Sequence, residues 1–297
     1  MRVKMKKEEI LLILFLLILM VTGMYLHFRL PEVTQTAMES AVKDNRESVP
    51  LPVLMYHGII DDPAKTNEYF ITAKAFEKDL KWLRDHGYTT VSMKQLKEFA
   101  EKGAALPEKP VLLTFDDGYR NNYTRAFPLL QKYDAKAVIS VIGNESDLSS
   151  DTIYRGDEID GGNITWGEAA LMVRSGLIEI GNHTYDLHRD EGGRKGADKL
   201  PGETDAAYRK ALTADLGHNQ DLIAAATGQP ALVFAWPFGA WPTDGSADQI
   251  LKDLGFAGSL TSYQIMNTIR RDDPSTLFGL KRFLRTPKFS LSDHLPE

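Results

Sequence analysis

Apolar positions divide this chain into two unequal parts. From Ile10 to Phe28 they form an almost unbroken run with no charged residue and no polar face. From Leu51 onward, short apolar runs of strand type alternate with segments of helical period. Val53–Tyr56 reads as a strand. Thr72 then caps a helix with Phe76, Leu80 and Leu83 on one face, ended by Gly87. A strand at Thr89–Val91 precedes a helix opened by the capping box of Ser92 and Gln95 and stopped by Gly103. Val111–Phe115 and Ala137–Ile142 are strands on either side of a helix around Tyr123–Tyr133. A second capping box, Thr165 with Glu168, opens a helix closed by Gly176, and the strand Leu177–Ile180 follows. A long helix spans Asp205–Thr227 with Gly228 as its stop, leading to the strand Leu232–Trp236. Asp244 is expected to cap a helix ending at Gly255, and Ala257–Leu260 and Leu280–Leu284 complete the strands. Leu148–Gly162 and Arg189–Thr204 read as loops.

Strands alternating with helices require a parallel sheet with helical crossovers. The expected fold is therefore α/β: a distorted (β/α) barrel of about seven to eight parallel strands. An open doubly wound sheet is the alternative that periodicity leaves standing.

The apolar run at the start changes the picture of where this domain sits. Nineteen helical residues span about 28 Å, near the hydrocarbon thickness of a bilayer. Arg2, Lys4, Lys6 and Lys7 precede the run, which keeps the amino terminus cytoplasmic and the remainder outside. The expected organisation is a cytoplasmic start (1–9), one transmembrane anchor (10–28), a polar linker (29–50) and one catalytic domain (51–297). A cleaved signal peptide with secretion is the alternative, against which stand the length of the run and the poor cleavage site after it.

Composition narrows the chemistry. The chain has 297 residues, a formal net charge of -6 and no cysteine. Disulfides, thiolate metal sites and cysteine nucleophiles are excluded. The excess of acid argues against a nucleic-acid partner. What remains is histidine and carboxylate chemistry, and it collects at strand ends: Tyr56-His57-Gly58, Phe115-Asp116-Asp117-Gly118-Tyr119, Gly181-Asn182-His183 and Trp236-Pro237-Phe238-Gly239. In a barrel these ends share one face.

Adjacent carboxylates point to opposite sides of a strand, so Asp116 and Asp117 share a site only where the strand is turning. An ordinary acidic turn is the plainer reading of an Asp-Gly pair. His183 and His188 are five residues apart, about 140° off on a regular helix, and converge only across an irregular turn. Alone they read as two loop histidines. With a carboxylate from the acidic pair they make a His-His-Asp set with an open position, as in a catalytic zinc site. The second aspartate is then available as a base and His57 as an acid. The aromatic turn Trp236–Trp241 is either surface packing or a sugar-binding wall with a backbone N–H for an oxyanion. His27, His86, His218 and His294 are expected to be solvated.

These motifs resemble the polysaccharide deacetylase family (NodB homology, carbohydrate esterase family 4). Thr114-Phe-Asp-Asp-Gly118 is similar to its first motif, and His183-Thr-Tyr-Asp-Leu-His188 to its second, one residue longer than usual. The longer form, and Leu54-Met-Tyr-His57 placed before the first motif, resemble the circularly permuted branch acting on poly-β-1,6-N-acetylglucosamine. The third motif, Ala235-Trp-Pro-Phe-Gly239, lacks the arginine that orients the base, for which Arg282 or Lys281 is the substitute on offer. The resemblance implies a distorted barrel. It implies Asp116 as base, His57 as acid, and Asp117, His183 and His188 as ligands of a divalent metal, Zn²⁺ foremost with Co²⁺, Ni²⁺ or Fe²⁺ as alternatives. Tyr119, Trp236, Pro237, Phe238, Gly239 and Trp241 would bind substrate or oxyanion, with the Phe238 N–H facing the oxyanion. The implied activity is metal-dependent N-deacetylation of N-acetylglucosamine-containing cell-surface polysaccharide, poly-N-acetylglucosamine or peptidoglycan; the apolar run places it at a membrane, and the oligomeric state is left open, with a monomer expected. A non-catalytic carbohydrate-binding protein and a glycoside hydrolase are the competing readings.

Overall fold

The computed structural model describes residues 47–152, 161–242 and 245–296. The apolar run Ile10–Phe28 lies outside these residues. Among the described residues no helix is long and apolar enough to cross a membrane.

In chain order the strands and helices are β1 (Ser48–Leu51), β2 (Val53–Tyr56), β3 (Gly58–Ile60), β4 (Phe70–Thr72), α1 (Ala73–Asp85), β5 (Thr89–Thr90), α2 (Met93–Lys102) and β6 (Pro110–Phe115). A π-helical turn (Asn122–Ala126) runs into α3 (Phe127–Lys132), and β7 (Ala137–Val141), α4 (Gly143–Ser150), α5 (Trp166–Arg174) and β8 (Ile178–Asn182) follow. The remainder is β9 (Asp190–Glu191), β10 (Arg194–Lys195), α6 (Asp205–Thr227), β11 (Val233–Ala235), α7 (Asp248–Asp253), β12 (Gly258–Leu260), β13 (Asn267–Arg270) and β14 (Phe283–Leu284).

Seven strands lie in the order β12-β11-β8-β7-β6-β2-β14, each parallel to its neighbours, with β5 added beside β6. Leu280, just before β14, bridges to Leu260 of β12, while Phe283 and Leu284 pair with β2. One short stretch of chain thus joins both ends of the sheet into a distorted barrel. Period-2 alternation sorts the side chains. Val53, Leu112, Val138, Val233 and Leu260 form one core with Met93, Leu96 and Phe99 of α2. Leu54, Tyr56, Leu113, Phe115, Ile139 and Phe234 face the opposite way, into the core shared with the outer helices.

Local signals set the helix starts. Thr72, Ser92, Thr165 and Thr204 each accept an N–H of the first turn, and the Ser92 and Thr165 capping boxes both form. Gly103 and Gly228 close their helices in the left-handed conformation.

The departures from the sequence reading are short elements. Strand pairing begins at Ser48, inside the segment read as linker, because β1 pairs antiparallel with β13. Helix α4 enters the loop read from Leu148, having only eight residues and no side-chain cap to announce it. The loop Arg189–Thr204 contains the hairpin β9–β10. The last predicted helix starts at Asp248 after Ala247, and Asp244 lies outside the described residues.

Candidate active site

Asp116 continues the inward series Leu112, Thr114 at the end of β6 and is 3% exposed. Arg282, 1% exposed, meets it edge to edge: Nη1 donates to Oδ1 and Nη2 to Oδ2, each at 2.7 Å. Arg282 is itself aimed by Nε donating to the Thr261 carbonyl at 2.7 Å. Burial pushes the Asp116 carboxyl up, but the charges of Arg282 and His183 outweigh it and hold Asp116 well below the usual carboxylate range. The arginine absent at Ala235 thus has a geometric counterpart directly before β14, while Lys281 contributes its backbone N–H to Asn267.

Asp117 leaves the strand by adopting φ 68°, followed by Gly118 at φ 65°. Aspartate tolerates this left-handed region better than most residues. A Cβ on Gly118 would lie 2.9 Å from Val141, so a larger residue would push the turn off β7. The turn is tied down by Asn163, whose Nδ2 donates to the Asp117 carbonyl, and by Ile164 N–H donating to Gly118 at 2.8 Å. This is how neighbouring carboxylates come to share one cavity.

His183 follows β8 directly. Its Nδ1 donates to the Ala235 carbonyl at 2.8 Å, which leaves Nε2 facing Asp117 Oδ1 at 3.4 Å. His188 Nε2 lies 3.5 Å from the same oxygen. One ligand atom from each of Asp117, His183 and His188 falls within 4.8 Å of the others. Two ligands at about 2.0–2.1 Å from a tetrahedral Zn²⁺ stand about 3.4 Å apart, so this set can hold a divalent metal. Burial opposes a charged His183, but Asp117 and Asp116 outweigh it and raise its pKa. At His188 burial prevails and lowers it.

His57 stands at the end of β2 with its ring 4.8 Å from that of Tyr69. Its Nδ1 is buried with no hydrogen-bond partner among the described residues. Burial lowers its pKa against the pull of Asp116 and Asp117. The backbone around it is held by two residues that sequence reasoning passed over. Asn122 Nδ2 donates to the His57 carbonyl at 2.6 Å, and Asn121 Oδ1 accepts from Ile59 N–H at 2.9 Å. Both asparagines sit at the start of the π-helical turn, a helix type frequent at functional sites. Their only sequence signal is a polar pair in the stretch directly after the acidic turn.

A cavity of about 660 Å³ collects these groups: His57, Asp116, Asp117, Tyr119, His183, His188, Trp236, Phe238, Gly239 and Arg282, with Tyr69 on its rim. The aromatic turn behaves unevenly. Phe238 is 46% exposed at φ 59°, its ring 4.7 Å from His188. No other backbone group among the described residues accepts its N–H. Trp236 is fully buried edge-on against Phe234. Pro237 and Trp241 do not line the cavity; Trp241 packs over Gly279, where a Cβ would collide with its ring. Of the turn, Trp236, Phe238 and Gly239 line the cavity, with Phe238 the exposed ring and Trp236 packed into the core behind it. Near Asp117, Tyr119 is pushed above the usual phenol range, first by burial and then by that carboxylate.

A family model described as polysaccharide deacetylase matches residues 103–259. It spans both aspartates, both histidines and the aromatic turn, and leaves His57 and Arg282 outside. The poly-beta-1,6-N-acetyl-D-glucosamine N-deacetylase of Escherichia coli (strain K12) is 32% identical over 219 residues, which cover 68% of this chain and 32% of that protein. This chain thus spans about a third of the length of that curated relative. Among solved structures, a de-N-acetylase from Aggregatibacter actinomycetemcomitans superposes with a TM-score of 0.69 at 26% identity, covering 82% of this chain and 98% of that one. IcaB from Ammonifex degensii gives 0.63 at 29% identity, covering 80% and 92%. Motifs, fold and family match agree, and the chain belongs to the polysaccharide deacetylase family.

Proposed function

We propose that this chain is a metal-dependent N-deacetylase that removes acetyl groups from N-acetylglucosamine units of a cell-surface polysaccharide, with poly-β-1,6-N-acetylglucosamine as the polymer. The carrying observation is the convergence of Asp117, His183 and His188 within 4.8 Å, beside an aspartate gripped at both oxygens by an arginine. The choice of polymer is supported by the name of the Escherichia coli relative. The apolar run Ile10–Phe28 supports placing the domain on the outer face of a membrane.

Asp117, His183 and His188 would hold the ion, with Zn²⁺ suited to this donor set. When bound, it supplies the charge that brings the pKa of water to about 7. Asp116, kept ionised and fixed in plane by Arg282, takes the proton of the water attacking the acetyl carbon. The Phe238 N–H is free to meet the carbonyl oxygen as it gains charge. His57 gives a proton to the departing nitrogen. A C–O bond forms, the C–N bond breaks, and acetate and a free amine leave.

The non-catalytic reading rested on the missing arginine. The Arg282–Asp116 pair removes that motive.

The full chain incubated with acetylated β-1,6-glucosamine oligomers and Zn²⁺ or Co²⁺ is expected to release acetate. Chelation should abolish release and metal restore it. No acetate with either ion overturns the proposal, as does full activity after Asp116→Asn.

A further inference from the structure

Convergence of His183 and His188 is not a property of their spacing. Five residues on a helix would send the two rings to different faces, and β8 ends at Asn182. The connection reverses at Thr184, which has φ 74°. A β-branched residue takes that conformation only when its surroundings impose it.

The groups that impose it surround the turn. Asn182 Oδ1 accepts from the Thr184 N–H at 2.9 Å. Asp215 accepts from two successive amides, Tyr185 N–H to Oδ1 at 2.8 Å and Asp186 N–H to Oδ2 at 2.9 Å. Asn219 Nδ2 lies 2.9 Å from the Thr184 carbonyl, 3.1 Å from Asn182 Oδ1 and 3.2 Å from the Val141 carbonyl. Asp215 and Asn219 are four apart on α6 and so share one face. The start of α4 closes the other side, with Gly143 N–H donating to Thr184 at 3.0 Å and Asn144 N–H to Tyr185 at 3.1 Å. Gly143 can approach only because it lacks a side chain: a Cβ would stand 2.5 Å from Asn219 Oδ1. Neither Asp215 nor Asn219 lines the cavity.

We infer that Asp215 and Asn219 are positioning residues that bend the chain between His183 and His188 so that both imidazoles face one divalent cation with Asp117. The long helix α6 is in this sense part of the metal site without supplying a ligand. The inference rests on the reading of Asp117, His183 and His188 as metal ligands.

The test is metal affinity of the full chain, by competition with a chromophoric chelator, together with the Co²⁺ absorption spectrum and the melting of the metal-free protein. Asp215→Asn leaves one of the two amides without an acceptor. It is expected to weaken Zn²⁺ binding by about 10–100-fold and to shift the Co²⁺ bands, while the metal-free protein still melts cooperatively. Asp215→Glu keeps both acceptors but displaces the loop by a methylene, and carries the same expectation should Asp215→Asn fail to fold. Wild-type affinity and an unshifted Co²⁺ spectrum in either folded variant overturn the inference and reduce Asp215 to a purely structural group. A wild-type chain that binds neither ion instead overturns the reading of the metal site, and this inference with it.

Discussion

Two buried aspartate–arginine pairs flank β14, built alike and set in different surroundings. Arg282 and Arg285 are three apart on an extended segment, so they leave it on opposite sides. Arg282 turns inward to Asp116. Arg285 turns outward to Asp79 of α1, with Nε to Oδ2 at 2.7 Å and Nη2 to Oδ1 at 3.0 Å. The Tyr56 hydroxyl adds a third donor to Asp79 at 3.3 Å. Burial is the largest influence on both carboxyls. It prevails at Asp79, which is raised, and is overcome at Asp116, where His183 and His57 add to the arginine's charge. Asp116 opens onto the cavity and Asp79 does not. A buried ion pair is therefore not in itself a sign of catalysis. Access, and the charges around the pair, make the difference.

The largest expected effect tests that contrast directly. Asp116→Asn should lower turnover by about 10²–10⁴-fold, as removal of a general base does. Asp79→Asn should cost about 3–5 kcal/mol of stability by stranding Arg285, with turnover per folded molecule nearly unchanged. Acetate release normalised to the folded fraction, with thermal melts of both variants, decides it. An equal loss of turnover at Asp79 would erase the distinction.

Arg282→Lys keeps the charge and loses the two-pronged grip. Turnover should fall by about 10²-fold with KM little changed, since a base displaced by an ångström is a poor one. Arg285→Lys should show its effect in the melting temperature and leave the kinetics alone.

Metal affinity should depend on pH through His183. Its pKa is raised, so a proton occupies the ring below that value and must leave before the nitrogen can bind metal. Zn²⁺ affinity is expected to drop by about tenfold per pH unit below the His183 pKa for the one proton displaced, and to level off above it. Chelator competition across about pH 5.5 to 8 reads this directly. A flat profile would overturn the coupling of metal binding to the His183 proton.

The smallest effect belongs to the exposed ring. Phe238→Ala removes the aromatic face and keeps the backbone N–H. KM for oligomers should rise by about 3–10-fold, the worth of one aromatic contact, with kcat held within about twofold. A collapse of kcat instead would assign the ring a part in the chemistry.

Much of this was legible in the residues. The strands Val53–Tyr56 and Val111–Phe115 and the helix Asp205–Thr227 were plain because apolar period, caps and glycine stops agreed there. Elements without those markers escaped: β1 and β13 draw their stability from pairing across more than 200 residues, and α4 has no side-chain cap. At the site, Asp116, Asp117 and His183 stood out as polar residues following apolar strands, and His188 through the resemblance to the family's second motif. Asp215, Asn219, Asn121 and Asn122 did not, since a polar residue on a helix reads as solvated unless its backbone partner is known. Trp241 lies away from the cavity, since aromatic content reveals nothing about which way a ring faces.

Residue types and their spacing along the chain determined the parallel α/β alternation, the donor set without thiolates and the strand ends that carry it. These are local properties, set by side-chain chemistry and by periods of 2 and 3.6. The tertiary structure alone decided that Arg282 is the partner of Asp116 and that a five-residue histidine spacing converges on Asp117. It alone decided, too, that Trp236 and Phe238 of the turn line the cavity while Trp241 packs away from it. Each depends on groups far apart in sequence being brought within hydrogen-bonding distance, and that proximity exists only once the barrel has closed.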